Sequence, residues 1–401
     1  MRVLLSTYGT RGDVEPLVAL AVRLQELGVE VRMCAPPDEE FAQRLAGLGV
    51  QLVPVGPPVR ALMRGSALPS AADLSRYRTE MVDTQFDVFP AAADGCDALV
   101  AAGLAQIAAR SVAEAAGIRY VYASYAAIQL PSPHHAPPPR PGWPEPETAD
   151  NRTLWELDAH NVNAEFAETL NGHRAAIGLP PVDNVRDHVF TDQPWLAADP
   201  VLGPWRETPG LDVVQTGAWN LPDERPLPAE LVAFLDAGAP PVYVGFGSMR
   251  PSRDIAAMTV EAIRALGHRV LVSRGWADLD LVDGLDDCLA IGEVNHQRLF
   301  GRVAAVVHHG GAGTTVTAAR AGAPQVVVPL RLSDTQYWAG RVADLGIGAA
   351  VDGPTQTVDS LCVAFKMVLA PETRTRAEAL GGKIRTDGAA VAASLLLDRL
   401  R

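Results

Sequence analysis

His308-His309-Gly310-Gly311-Ala312-Gly313-Thr314-Thr315 follows the apolar run Val303-Ala304-Ala305-Val306-Val307 and precedes a helix-like segment, residues 316–321. A strand that feeds a glycine-rich turn and then a helix start makes an anion site. Free backbone N–H groups and the positive end of the helix dipole point at whatever sits there. Glycine lets the backbone come close to a phosphate, and the two histidines add donors that a plain turn would not need. The segment is not a Walker A loop, because no Gly-Lys-Ser/Thr follows, and it lacks the G-x-G-x-x-G spacing of a dinucleotide fingerprint. Gly245-Phe246-Gly247-Ser248 is a second turn at a strand end; it either faces the same phosphates through Ser248 or is a simple β-turn.

Two carboxylates sit in similar places. Asp13 lies in the loop after the first strand, where it is either a general base for an acceptor hydroxyl or the cap of a helix opening at Pro16. Asp334 follows the strand-like segment 325–329, where a carboxylate either accepts hydrogen bonds from sugar hydroxyls or caps the next helix.

The elements that must position these residues alternate along the chain. Strands are expected over 2–8, 29–34, 50–55, 98–102 and 120–124, with helices over 16–27, 41–48 and 104–116 between them. The pattern restarts with strands over 242–246, 269–273, 288–291, 304–308 and 325–329, and helices over 255–266, 314–320, 337–345, 358–369 and 389–400. Such alternation means a parallel sheet covered on both faces, with ligands at the carboxyl ends of its strands. A chain of 401 residues is too long for one core, so two Rossmann-like, doubly wound domains facing a central cleft are expected. The domains are placed at 1–205 and 229–384, with a Pro-, Gly- and Asp-rich linker over 206–228 and a closing helix over 385–401.

Residues 128–151, with Pro137-Pro138-Pro139 and Pro141-Gly142-Trp143-Pro144, read as a long loop. A disordered insertion and a binding loop are the two options; a binding loop, with His134 and Trp143 meeting the acceptor, is preferred. A formal net charge of −13 argues against nucleic acid. Cys34, Cys96, Cys288 and Cys362 are widely separated, which excludes a disulfide framework and makes a reducing cytoplasm the default. No apolar run reaches the ~18 residues of a membrane span.

The assembly resembles the two-domain GT-B glycosyltransferases of the UDP-glycosyltransferase superfamily, and most of all those that glycosylate vancomycin- and teicoplanin-type heptapeptide aglycones. The resemblance is carried by residues 1–5 with Gly9-Thr10-Arg11-Gly12-Asp13-Val14-Glu15-Pro16-Leu17, Arg32-Met33-Cys34-Ala35-Pro36-Pro37, Ile177-Gly178-Leu179-Pro180-Pro181-Val182, Gln215-Thr216-Gly217-Ala218-Trp219, Leu271-Val272-Ser273-Arg274-Gly275-Trp276-Ala277-Asp278 and residues 308–315. It implies inverting transfer of a hexose, glucose or N-acetylglucosamine, from a nucleotide diphosphate sugar to a phenolic hydroxyl. Asp13 matches the general base. Ser248, His309, Gly311, Ala312, Gly313 and Thr314 match the diphosphate contacts, and Arg274, Glu293 and Val294 those of the base. Thr10, Asp334 and Thr335 match the donor-sugar contacts. Related enzymes often carry Asp-Gln where this chain has Asp334-Thr335-Gln336, so either Thr335 replaces the glutamine or Gln336 reaches in. A UDP donor is expected in preference to dTDP; no cofactor is expected and no metal is required, since no Asp-x-Asp cluster is placed near the phosphate turn, and the chain is expected to be a monomer. A dTDP-deoxyaminosugar transferase, a nucleotide-sugar 2-epimerase and a non-catalytic partner of a true transferase are the rival readings.

Overall fold

Runs such as Val3-Leu4-Leu5 and Val306-Val307 are apolar on consecutive residues, which suits a strand buried on both faces. A computed structural model describes residues 1–63, 70–140, 143, 150–279, 286–330, 334–351 and 356–401. The chain divides into two units, Met1–Leu221 with Arg385–Arg401, and Pro222–Ile384.

In the first unit, β1 (Arg2–Thr7), β2 (Glu30–Ala35), β3 (Gln51–Pro54), β4 (Ala98–Ala102), β5 (Arg119–Ser124), β6 (Trp195–Leu196) and β7 (Val214–Gln215) form one sheet in the order β3-β2-β1-β4-β5-β6-β7. Every pairing in it is parallel. The strand order reverses between β1 and β4, so the crevice outside their carboxyl ends is the expected ligand position.

The second unit repeats the plan. β8 (Val242–Val244), β9 (Val270–Ser273), β10 (Cys288–Ile291), β11 (Ala305–His308), β12 (Gln325–Val327) and β13 (Gly348–Ala350) lie in the order β10-β9-β8-β11-β12-β13, again all parallel. Val244, Val307 and Val326 pack into one apolar cluster, whereas Tyr243, Leu271 and Val306 pack into another. Alternate residues of the same strands therefore serve two cores, one on each face. Here the switch point falls between β8 and β11.

Several elements differ from the sequence expectation. The first helix spans Arg11–Glu26 and carries Pro16 inside it, rather than opening there. Thr10 is its N-cap and Asp13 closes a capping box at the third helical position, so the helix starts before the proline. The helix expected over 104–116 spans Ala109–Ala116. Two long helices, Ala71–Ala93 and Asn151–Ala176, were not foreseen; the second begins where the proline-rich segment ends, capped by Asp150.

The boundary between units falls inside the segment expected to be a linker, but its first part is built structure. Val214–Gln215 pair with β6, and Gln215 Nε2 donates to the carbonyls of Ala198 and Gly203. The closing helix Gly388–Leu400 belongs to the first unit, where it packs on the helix Arg11–Glu26. A Cβ on Gly388 would stand 2.5 Å from the carbonyl oxygens of Gly217 and Ala218, so only glycine allows the backbones to meet this closely. Arg399 lies over the ring of Trp195, 5.5 Å from its centroid.

Candidate functional site

In the second unit, β11 delivers its last residue into a fixed imidazole. His308 is fully buried; its Nε2 lies 2.9 Å from Gln325 Oε1, and its Nδ1 accepts from the Gly310 N–H at 3.1 Å. With Nδ1 accepting, Nε2 carries the hydrogen. Burial holds this ring neutral, its pKa pushed down to about 3, with His309 adding to the effect. The side chain organises the turn from below and leaves its neighbour for the ligand.

His309 is only partly covered, but its Nδ1 is buried and has no hydrogen-bond partner. Its pKa is pushed down to about 4 by burial, so it is a neutral imidazole with one N–H to give. A Cβ on Gly311 would lie 2.7 Å from His309 Nε2, so glycine is what lets the ring lie against the start of the next helix. That helix, Ala312–Arg320, has Gly311 as N-cap and no side-chain cap. The N–H groups of Ala312, Gly313 and Thr314 thus face outward from its first turn. The turn after β8 brings Ser248 to the same place: Gly247 approaches His309 Cε1, and the buried Ser248 hydroxyl also lacks a partner. Two buried unpaired polar groups beside an uncapped helix N-terminus, at the switch point of a doubly wound sheet, make this turn a candidate anion site.

Asp334 and Thr335 border this turn, since Thr335 O lies 2.6 Å from where a Cβ on Gly310 would stand. Asp334 heads the helix Thr335–Asp344 without capping it through its side chain; instead the Trp338 indole N–H donates to Asp334 Oδ2 at 2.8 Å. Thr335 is buried and its hydroxyl donates to the Leu330 carbonyl, whereas Gln336 is exposed. The geometry therefore favours Gln336 over Thr335 as the partner of an outside ligand. Arg274, Glu293 and Val294 gather at the carboxyl ends of β9 and β10, where the Arg274 N–H donates to the Ile291 carbonyl at 3.0 Å. Val294 is buried in the core, and Glu293 is exposed with an Arg225 contact at 3.4 Å.

In the first unit, Asp13 stands at the carboxyl ends of β1 and β4. Its Oδ2 accepts from the Thr10 N–H at 2.8 Å, and Oδ1 lies 3.8 Å from where a Cβ on Gly103 would be. Tyr125, just after β5, donates its hydroxyl to the Asp13 carbonyl at 2.9 Å. The residue is thus braced at its backbone carbonyl and at one carboxylate oxygen; Asp13 is not the N-cap of a helix opening at Pro16 but closes the capping box of the helix that Thr10 caps, and it stands at the switch point.

His134 and Trp143 are anchored within the first unit rather than gathered at Asp13. His134 is exposed with Nε2 3.1 Å from the Glu207 carbonyl, and the Trp143 indole donates to Glu165 Oε2 at 3.0 Å. Arg140, stacked 4.7 Å over Trp143, forms a two-pronged pair with buried Asp158 at 2.8 and 3.1 Å. The described part of this loop is therefore tied down; residues 141–142 and 144–149 lie outside the described residues. Trp338, Gln325 and Tyr125 were missed from sequence, because each acts through a partner distant along the chain.

The comparisons with known proteins meet this geometry from both ends. Residues 3–132 match the glycosyltransferase family 28 N-terminal domain, and residues 257–392 the erythromycin biosynthesis protein CIII-like C-terminal domain. The chain is 59% identical to glycosyltransferase GtfE of Amycolatopsis orientalis over 400 residues, 99% of this chain and 97% of the relative. It belongs to the GT-B glycosyltransferases. Vancomycin aglycone glucosyltransferase of the same organism is 58% identical with the same coverage. The crystal structure of the glycotransferase of kitacinnamycin superposes with a TM-score of 0.75 at 19% identity, covering 100% of this chain and 98% of that one. As a member of this family the chain is a hexosyltransferase with two parallel-sheet α/β units. Among the described residues no helix is long and apolar enough to cross a membrane, and no group of three or more His, Cys, Asp or Glu is placed to hold a metal ion.

Proposed function

We propose that the chain transfers glucose or N-acetylglucosamine, with inversion, from a UDP-sugar to a phenolic hydroxyl of a glycopeptide heptapeptide aglycone. The observation that carries the donor half is the pair of unpaired buried groups, Ser248 Oγ and His309 Nδ1, beside the uncapped first turn of the helix Ala312–Arg320. Diphosphate oxygens would satisfy both. As the sugar leaves, charge grows on those oxygens, and preorganised N–H donors stabilise it without a metal ion. The base would lie over Val294 near Arg274 and Glu293, and the sugar hydroxyls would meet Asp334 and Gln336.

The acceptor half rests on Asp13 and on the two relatives from Amycolatopsis orientalis. In the reaction, the phenol oxygen attacks the anomeric carbon, its proton passes to the Asp13 carboxylate, and the bond from the anomeric carbon to the diphosphate breaks on the opposite face. A phenol loses its proton near pH ~10, far more readily than an alcohol, so a carboxylate is an adequate base. A monomer working in the cytoplasm completes the reading.

The test is to incubate the chain with vancomycin or teicoplanin aglycone and, separately, UDP-glucose, UDP-N-acetylglucosamine and dTDP-glucose, and to measure intact product mass. A gain of one sugar from a UDP donor is the expected result. Product only with dTDP-glucose would overturn the nucleotide assignment. Donor consumed without acceptor, to an isomer of equal mass, would point to the epimerase.

A further inference from the structure

Thr7 is the last residue of β1, pairs in register with Ala102 of β4, and is 1% exposed. It sits at the switch point of the first sheet, and its hydroxyl is buried with no hydrogen-bond partner. An unpaired buried hydroxyl is costly, and valine would fill the same volume without that cost. The orphan oxygen is also aimed at the site. Among the described residues, and apart from its chain neighbours, the position that a Cβ on Gly103 would take has two neighbours within 4 Å, Asp13 Oδ1 at 3.8 Å and Thr7 Oγ1 at 3.9 Å. Glycine keeps this cell open, and it is walled by two oxygens, one a carboxylate and one a hydroxyl.

We propose that Thr7 is a positioning residue for transfer: with the acceptor bound, its hydroxyl and Asp13 Oδ1 hold one oxygen between them, either the acceptor hydroxyl or a water linking to it. This rests on the assignment of Asp13 as the base. Asp13 Oδ1 is the carboxylate oxygen that borders the cell, so an acceptor oxygen held there passes its proton to Oδ1. A hydroxyl on the far side of the same cell gives the acceptor oxygen a second contact. That contact fixes the angle from which its lone pair meets the anomeric carbon. Thr7 neither gains nor loses a proton overall; the proton moves from acceptor to Asp13 as before. No donor contact is involved, so donor affinity is outside its influence.

The experiment compares wild type, Thr7→Val, Thr7→Ser and Asp13→Asn in single-turnover transfer, with the donor and aglycone for which wild type gives product, alongside UDP titration and thermal unfolding. Thr7→Val is expected to slow transfer roughly ten- to a hundredfold, with UDP affinity within error of wild type and a melting temperature equal to or above it. Thr7→Ser, which keeps the hydroxyl and loses the methyl, is expected to recover most of the rate. Wild-type transfer by Thr7→Val overturns the proposal while Asp13→Asn remains inactive, which leaves the base assignment intact. Equal losses in Thr7→Val and Thr7→Ser overturn it in favour of packing. Full activity in Asp13→Asn overturns the base and the proposal together.

Discussion

At the scale of single residues, the site is defined by groups that the fold leaves unsatisfied or held in a chosen state. Asp13→Asn keeps the size and the capping contact but removes the base; transfer should fall by about 10²–10⁴-fold while UDP binding, followed by calorimetry, stays near wild type. Ser248→Ala removes a hydroxyl that has no partner within the fold. It should leave the melting temperature unchanged or raise it, and weaken UDP binding roughly tenfold. A lower melting temperature with unaltered UDP affinity would mean that the hydroxyl is structural. Most of these residues were legible in the sequence, because the glycine turn and Asp13 lie at strand ends that the apolar runs announce. The choice between Thr335 and Gln336 stayed open in the sequence because nothing in Asp334-Thr335-Gln336 tells which side chain turns inward; the Leu330 carbonyl that accepts from the Thr335 hydroxyl lies in an irregular segment.

At the scale of elements, the turn after β11 works because three pieces converge on one ring. Gly311→Ala places a methyl where His309 Nε2 needs room, 2.7 Å away. The helix would still form, since Gly311 is its N-cap with no side-chain cap to lose and the helical residues themselves are unchanged, but the imidazole must swing off its position. UDP affinity should fall about as far as in His309→Ala, with circular dichroism unchanged; affinity equal to wild type would show that the ring position is immaterial. Strands buried on both faces were the easiest elements to read. The helices Ala71–Ala93 and Asn151–Ala176 were the hardest. Their charged residues cover much of their surface, and the second presents buried positions such as Leu154, Asp158, Val162 and Phe166 in which a carboxylate breaks the apolar stripe. Asp158 is buried because Arg140 reaches it from the proline-rich loop, a pairing that periodicity cannot reveal.

At the scale of the whole molecule, stability carries a pH signature. Burial pushes the pKa of His308 down to about 3 and that of His309 to about 4, and it lowers those of His135 and His188 as well. In the unfolded chain these imidazoles titrate near ~6.5. Below that pH the unfolded state takes up protons that the folded state refuses, so stability falls as pH drops from about 6.5 toward 4, and these groups contribute no slope above it. Melting temperatures measured from pH 8 to pH 5 should be flat at first and then decline; a rise on acidification would contradict the burial of these rings. A second expectation concerns the closing helix. Gly388→Ala drives a Cβ into the Gly217 and Ala218 carbonyls, and should destabilise the first unit by roughly 1–3 kcal/mol, read as an earlier unfolding transition in calorimetry.

The membership of Arg385–Arg401 in the first unit has a consequence for biosynthesis. A polypeptide leaves the ribosome amino end first, and contiguous domains fold in that order. Here Pro222–Ile384 is continuous and holds all the strands of its own sheet. The earlier-made residues 1–221 must wait, with the surface that receives the helix Gly388–Leu400 uncovered, until more than 160 further residues have been translated. The unit begun first is therefore the unit finished last, and a nascent chain that ends between residues 351 and 387 holds every strand of both sheets while its first unit still lacks the helix that completes it.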